Sequence, residues 1–284
     1  KTASSAIFDK ILRNCRKPCN RFHLVRASDA DNLAASRSHA AGGTSVRIAS
    51  WNVNSIRQRL TPLLAFLRET APDVLCLQEL KCENAAFPRA EIEDAGYNAL
   101  VHGQKTFNGV AILSRVGITD AVANFAVGDR DPDARIITAH CGGVLVSSVY
   151  VPNGRALDHE HYQYKLRWMA QLRKHVASLT GPHDQVVVAG DYNIAPLDID
   201  VYDPRKFVDA THVSAAERQS LSELTEWGFE FGGRGARLAD DDDDDREVDV
   251  GVVVHVHPHE ADDARQRQRD EHQRAADEET MEFP

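Results

Sequence analysis

Four short apolar runs, each closed by a polar residue, constrain this chain more than any other feature. They are Ile48-Ala49-Ser50-Trp51 before Asn52, Val74-Leu75-Cys76-Leu77-Gln78 before Glu79, Val144 to Val149 before Tyr150, and Val186-Val187-Val188-Ala189-Gly190 before Asp191 and Asn193. A short run without regular polar alternation reads as a strand buried on both faces. Such strands need a layer on each side, which points to a layered α/β fold. In that architecture strand ends share a rim, and sites are built on such rims.

The intervening segments fit. Leu60, Leu63, Leu64 and Leu67 make one apolar helix face, and Thr61-Pro62 predicts an N-cap followed by the first helical residue. Gly109 to Leu113 is a further strand. Arg135–Cys141 and Val144–Val151 flank Gly142-Gly143, a two-residue hairpin signal, so the sheets are mixed. Asp158–Leu179 carries Tyr162, Leu166, Met169, Leu172, Val176 and Leu179 at helical spacing. Ser214-Ala215-Ala216-Glu217 is a capping box ahead of Leu221 and Leu224.

Charge divides the chain. Its formal net charge of -10 argues at first against a nucleic-acid partner. Residues 1–45 hold 8 Lys/Arg against 3 Asp/Glu, 46–229 hold 18 against 22, and 230–284 hold 7 against 18. The acidity therefore belongs to the last segment. No apolar run approaches the roughly 20 residues of a membrane span, so no membrane partner is expected. Residues 1–45 read as a basic disordered extension, with a targeting leader as the alternative. The five cysteines do not suggest a disulfide framework, and cytoplasmic reduced thiols are expected. Cys15, Cys19 and His23 are three zinc-type ligands without a fourth.

The residues closing the apolar runs suit a hard divalent cation. Carboxylate and amide oxygens are ligands that Mg²⁺ accepts, and its waters can react. Asp191 and Asn193 lie on one side of an extended segment. One suits proton transfer, the other an N–H bond to a phosphoryl oxygen. Taken singly, Gly-Asp-Xaa-Asn is an Asx turn, Tyr150 a sheet aromatic and Glu79 a loop carboxylate. The weight lies in the ordered set.

Trp51-Asn52-Val53-Asn54-Ser55-Ile56-Arg57 resembles the opening motif of the exodeoxyribonuclease III branch of the endonuclease/exonuclease/phosphatase family. Pro72 to Lys81, His102 to Lys105, Asn108 to Ala111, Tyr150 to Gly154, Gly190 to Pro196, Thr211 to Ser214 with Glu217-Arg218, and Trp227-Gly228-Phe229 follow in that family's order.

The resemblance covers residues 46–229. It implies a four-layer sandwich of two mixed β-sheets flanked by helices, incomplete at the C-terminus. It implies hydrolysis of duplex DNA at abasic sites and 3′ ends with Mg²⁺, or alternatively Mn²⁺. Asn52, Glu79, Asp191 and Asn193 resemble the metal-side residues. Tyr150, Asp191 and Asn193 resemble the catalytic ones. Arg57, Lys81 and Lys105 lie in loops able to meet the DNA backbone, or serve solubility. A monomer is expected, although the sequence does not specify the oligomeric state.

The likeness stops after Phe229, where a Trp-rich segment and a closing Ser-Asp-His motif are expected and absent. Arg246 to Val250 is a distant match to an intervening Arg-Ile-Asp-Leu strand. Residues 230–284 read as an acidic disordered tail, as a His255/His257/His259 metal segment, or as the product of a shifted reading frame. The last is favoured, because the change is abrupt. An impaired nuclease with bare sheet edges and reduced stability is then expected. A non-catalytic DNA-binding relative and a metal-dependent phosphatase are the other readings.

Overall fold

The computed structural model of the protein describes residues 22–26, 46–180, 185–201, 203–226, 229–232 and 251–256. One sheet contains β1 (Phe22–Arg26), β2 (Arg47–Asn52), β3 (Val74–Gln78), β4 (Asn98–His102) and β5 (Val110–Ser114), in the order β1-β2-β3-β5-β4. The other contains β6 (Thr119–Ala123), β7 (Ile136–Cys141), β8 (Val144–Tyr150), β9 (Gln185–Asp191), β10 (Phe229–Gly232) and β11 (Gly251–Val256), in the order β10-β11-β9-β8-β7-β6. β2 and β3 run parallel, as do β8 and β9, and the remaining pairs are antiparallel. Both sheets are therefore mixed, as expected.

Side-chain parity builds the layers. Ile48, Val74, Cys76, Val110 and Ile112 of the first sheet meet Ile137, Ala139, Val144, Val146, Val187 and Ala189 of the second in one buried cluster. The alternate residues Ala49, Trp51, Leu75, Leu77, Ala111 and Leu113 face outward under helix α1 (Ile56–Thr70) and helix α2 (Arg89–Asp94), through Leu63, Phe66, Leu67 and Ile92. On the far side Leu145, Val149, Val186 and Val188 are covered by helix α3 (Glu160–Leu179) and helix α4 (Ala215–Glu226) through Trp168, Met169, Leu172, Leu221 and Leu224. Strands so enclosed have no solvent face, which is why their sequences lack strict alternation. Among the described residues no helix is long and apolar enough to cross a membrane.

Local signals mostly hold. Cys141 pairs with Val144 across Gly142 (φ 58) and Gly143 (φ 87), a hairpin turn that requires positive φ at both positions. The Ser214 hydroxyl accepts from the Glu217 N–H at 3.3 Å, and Glu217 accepts from the Ser214 N–H at 3.1 Å, completing the capping box. Cys76, Cys82 and Cys141 are buried free thiols. The thiols of Cys15 and Cys19, the His23 side chain, and the side chains of His255, His257 and His259 lie outside what is described.

Two expectations fail. The first helix begins at Ile56, and Pro62 lies inside it rather than at its first position. Its start is fixed by tertiary bonds: the N–H groups of Ser55 and Ile56 donate to the carbonyls of Glu79 (2.8 Å) and Leu80 (3.1 Å). These satisfy the exposed donors of the first turn, and the helix then runs on through a proline that cannot donate. Second, the segment after Phe229 does not leave the β9 edge bare. β11 pairs along it from Gly251 opposite Asp191 to Val256 opposite Val186.

Candidate active site

Parity also places the chemistry. Asn52 continues the inward series Ile48, Ser50; Tyr150 continues Val144, Val146, Ser148; Asp191 continues Val187, Ala189. All three therefore stand over the gap between the sheets at the strand ends. β8 and β9 are parallel neighbours with Tyr150 opposite Asp191. β2 ends beside β3 with Asn52 opposite Gln78, so Glu79 is the next residue on the same rim. Below the rim, Gln78 donates to Ser148 of the opposite sheet at 3.3 Å and bonds Ser50 of its own. Gly190 is required in β9, because a Cβ there would lie 1.9 Å from the Val149 carbonyl oxygen.

The centre is a bridge across the two sheets. The Asn52 side-chain Nδ2 donates to Glu79 Oε1 at 2.8 Å and to Asp191 Oδ2 at 3.0 Å. Its Oδ1 accepts from the Asn54 N–H at 3.0 Å. Glu79 is also ion-paired with Lys81 at 2.8 Å, and Lys81 donates to the Asn54 side chain. Glu79 (φ 54) and Lys81 (φ 52) hold left-handed backbone, kept by bonds from the Leu80 and Lys81 N–H groups to the carbonyls of Gly109 (3.1 Å) and Asn108 (2.9 Å). Such conformations persist where surrounding bonds over-determine them.

Opposite, Asp191 Oδ1 accepts from the Asn193 N–H at 2.9 Å, and Asn193 Nδ2 donates to the Val151 carbonyl at 2.9 Å. Asn153 Nδ2 reaches Asn193 Oδ1 at 3.4 Å and His212 Nε2 at 3.1 Å. The Arg135 guanidinium lies over the Tyr150 ring, 5.0 Å from its centroid. Burial, with the Glu79 and Asp191 carboxylates beside it, pushes the Tyr150 phenol well above its usual range, and Arg135 opposes this. Tyr150 is thus a neutral donor at ordinary pH and bonds Glu79.

The sequence singles out residues of three fates. Asn52, Glu79, Tyr150, Asp191, Asn193 and Lys81 come together. Arg57, in the first turn of α1, and Lys105, in the loop between β4 and β5, stand exposed at the surface. Asn153, His212 and Glu217 lie within the family-like motifs, where the sequence assigns them no role. Lys165 was missed, although it sits where the apolar stripe of α3 calls for a buried residue, between Tyr162 and Met169.

A cation is a reasonable fit to the donor set. Two carboxylates from different sheets converge on one amide, and the Lys81 ammonium stands on Glu79 where positive charge is favoured. Among the described residues no group of three or more His, Cys, Asp or Glu is gathered, so amide oxygens and waters must complete any coordination.

A two-sheet sandwich with carboxylates, amides and a phenol on one rim defines a class of hydrolase scaffold. Residues 49–240 match the Endonuclease/Exonuclease/phosphatase family, and the chain belongs to it. It is 28% identical over 188 residues to an exodeoxyribonuclease of Bacillus subtilis, covering 65% of this chain and 73% of that one. Curated relatives are spanned over 60 to 73% of their length. An AP endonuclease from Archaeoglobus fulgidus superposes with a TM-score of 0.68 and 32% identity, covering 74% of this chain and 86% of that one. The 3′ phosphatase NExo from Neisseria, bound to a product DNA hairpin, superposes with a TM-score of 0.63 and 40% identity, covering 64% and 71%.

Proposed function

We propose that the chain is a DNA-repair nuclease of the exodeoxyribonuclease III kind, hydrolysing phosphodiesters of duplex DNA at abasic sites and 3′ ends with Mg²⁺ or Mn²⁺. The observation that carries this reading is the Asn52 amide bonded at once to Glu79 and Asp191. It sets two carboxylates from different sheets at a fixed spacing on one rim of the sandwich. The similarity to an exodeoxyribonuclease, an AP endonuclease and a DNA-bound 3′ phosphatase supports the substrate class.

Glu79 would hold the cation, and Asn52 sets the direction of both carboxylates. When bound, a divalent cation would supply charge stabilisation at the phosphoryl oxygens. Asp191, fixed by the Asn193 N–H at Oδ1, accepts the proton of the attacking water at Oδ2. Asn193 Nδ2 spends one N–H on Val151 and has a second for a phosphoryl oxygen as charge develops there. Tyr150, held protonated beside Asp191 on the same sheet, donates its O–H to Glu79 and helps fix that carboxylate. Lys81, Arg57 and Lys105 neutralise the DNA backbone, which positions the substrate without reading its sequence.

Residues 230–284 contain no Ser-Asp-His motif. Turnover is therefore low, because members of one catalytic unit are not independently dispensable. Cleavage of an abasic duplex with Mg²⁺, with and without EDTA, tests both points. Slow, EDTA-sensitive nicking is expected. Fast multiple-turnover nicking overturns the impairment, and duplex binding without any cleavage favours a non-catalytic relative. Action on phosphate monoesters or lipids with none on DNA replaces the reading altogether.

A further inference from the structure

We infer that Lys165 is the positioning residue of this site, its buried ammonium tying together the backbone loops that carry Asn153 and Asn193. The inference rests on the reading of Asp191 and Asn193 as reacting groups. Lys165 comes from α3, outside the rim, and is fully buried. Its Nζ donates to the Asn153 carbonyl at 3.2 Å, to the Asn193 carbonyl, and to Glu217 Oε1 at 2.6 Å. Those three bonds use all the donors an ammonium has.

Each partner lies on a different segment. Asn153 follows β8, Asn193 follows β9, and Glu217 opens α4. The Glu217 carboxylate is equally committed. Oε1 also accepts from the His212 N–H at 3.0 Å, and Oε2 accepts from the Ser214 N–H at 3.1 Å and the Ser214 hydroxyl at 2.7 Å. The His212 carbonyl in turn accepts from the Ala195 N–H at 2.7 Å. One lysine thus closes a ring through both asparagine loops and the start of α4.

A buried ion pair of this sort is a weak source of stability, because desolvation offsets attraction. What it supplies is geometry. It fixes two backbone carbonyls, and through them the direction of the Asn153 and Asn193 amides. Gly154 lies close by: a Cβ on it would be 3.3 Å from the Lys165 Cδ.

The test is the full chain carrying Lys165→Met with Glu217→Gln. The Gln retains an acceptor for the α4 cap, and the pair becomes neutral. The expected result is a denaturation midpoint close to that of the parent. Amide exchange over 151–155 and 192–195 should rise at least about tenfold while β8 and β9 stay protected. The rate on an abasic duplex with Mg²⁺ should fall on the order of 100-fold with KM within threefold. A double-mutant cycle with Asn193→Ala should be strongly non-additive.

Unchanged exchange in both loops overturns the inference, as does a rate loss that only tracks the folded fraction. If the parent chain cleaves no DNA, the functional reading fails, and the exchange measurement still decides this one. Should the double variant not fold, Lys165→Gln, too short to span both carbonyls, is read by the same exchange and rate assays.

Discussion

The two sides of the rim are built differently. On the first sheet, Glu79 is held by Asn52 and by Lys81, whose side chain is 30% exposed. On the second, Asp191 and Asn193 are backed by Lys165 and Glu217, both fully buried. One side is a partly exposed ion pair within reach of solvent. The other is a set of loops locked from behind. A cation site needs the first kind, because a ligand must be able to release an internal ammonium and accept a metal. Proton transfer and oxyanion binding need the second, because their donors must already be in place.

The comparison breaks most visibly at Asp191. Replacing it with Asn should lower the single-turnover rate on an abasic duplex about 1,000-fold, with little change in duplex affinity. A variant retaining a tenth of the rate would show that the locked side does not carry the proton.

Acid should act on the same side. His175 and His212, both from the second-sheet half, are pushed down to about 4 by burial, with Lys165 adding to the effect at His212. Between that value and the ordinary histidine value the unfolded chain binds more protons than the folded one. Stability is therefore full above about pH 6.5 and is lost as pH falls toward 4, by about 3 kcal/mol per histidine. Urea midpoints at pH 7 and pH 4.5 measure it, and amide exchange should locate the loosening around α3 and α4. Loosening confined to the first sheet would reverse the assignment.

At Glu79 a smaller effect is expected. Glu79→Gln should raise the Mg²⁺ concentration for half-maximal rate about tenfold, read by metal titration. An unchanged requirement would place the cation elsewhere. Least of all, Lys81→Met removes a partly exposed pair and should change thermal stability by under about 1 kcal/mol, read from the shift in melting temperature. A large loss would mean that the first side is locked as well.

What could be read from the sequence follows the same division. The strands under the rim were legible because burial on both faces leaves an apolar run, and parity then sends Asn52, Tyr150 and Asp191 to the gap. The start of α1 was not, since Thr61-Pro62 is a good local signal overridden by carbonyls of a loop more than twenty residues further along. Lys165 was hidden by its own chemistry. A lysine within a helical stripe reads as solvent-facing, and only its phase between Tyr162 and Met169 indicates otherwise. Strand β11 lies in the stretch whose composition departs from the family, where the sequence offers only a distant strand match at Arg246 to Val250, just before it.

The Asn52 bridge has a mechanical consequence. Interdigitated apolar side chains resist sliding of one sheet over the other, but they contain no directional bond that reports it. Asn52 and, beneath it, Gln78 to Ser148 connect the sheets by hydrogen bonds of fixed reach. Any slip of the layers therefore appears first as a change in the separation of Glu79 and Asp191. The rim acts as a gauge of layer alignment, so a distant core substitution that shifts one sheet by a fraction of an ångström is felt in the reaction before it is felt in the melting temperature.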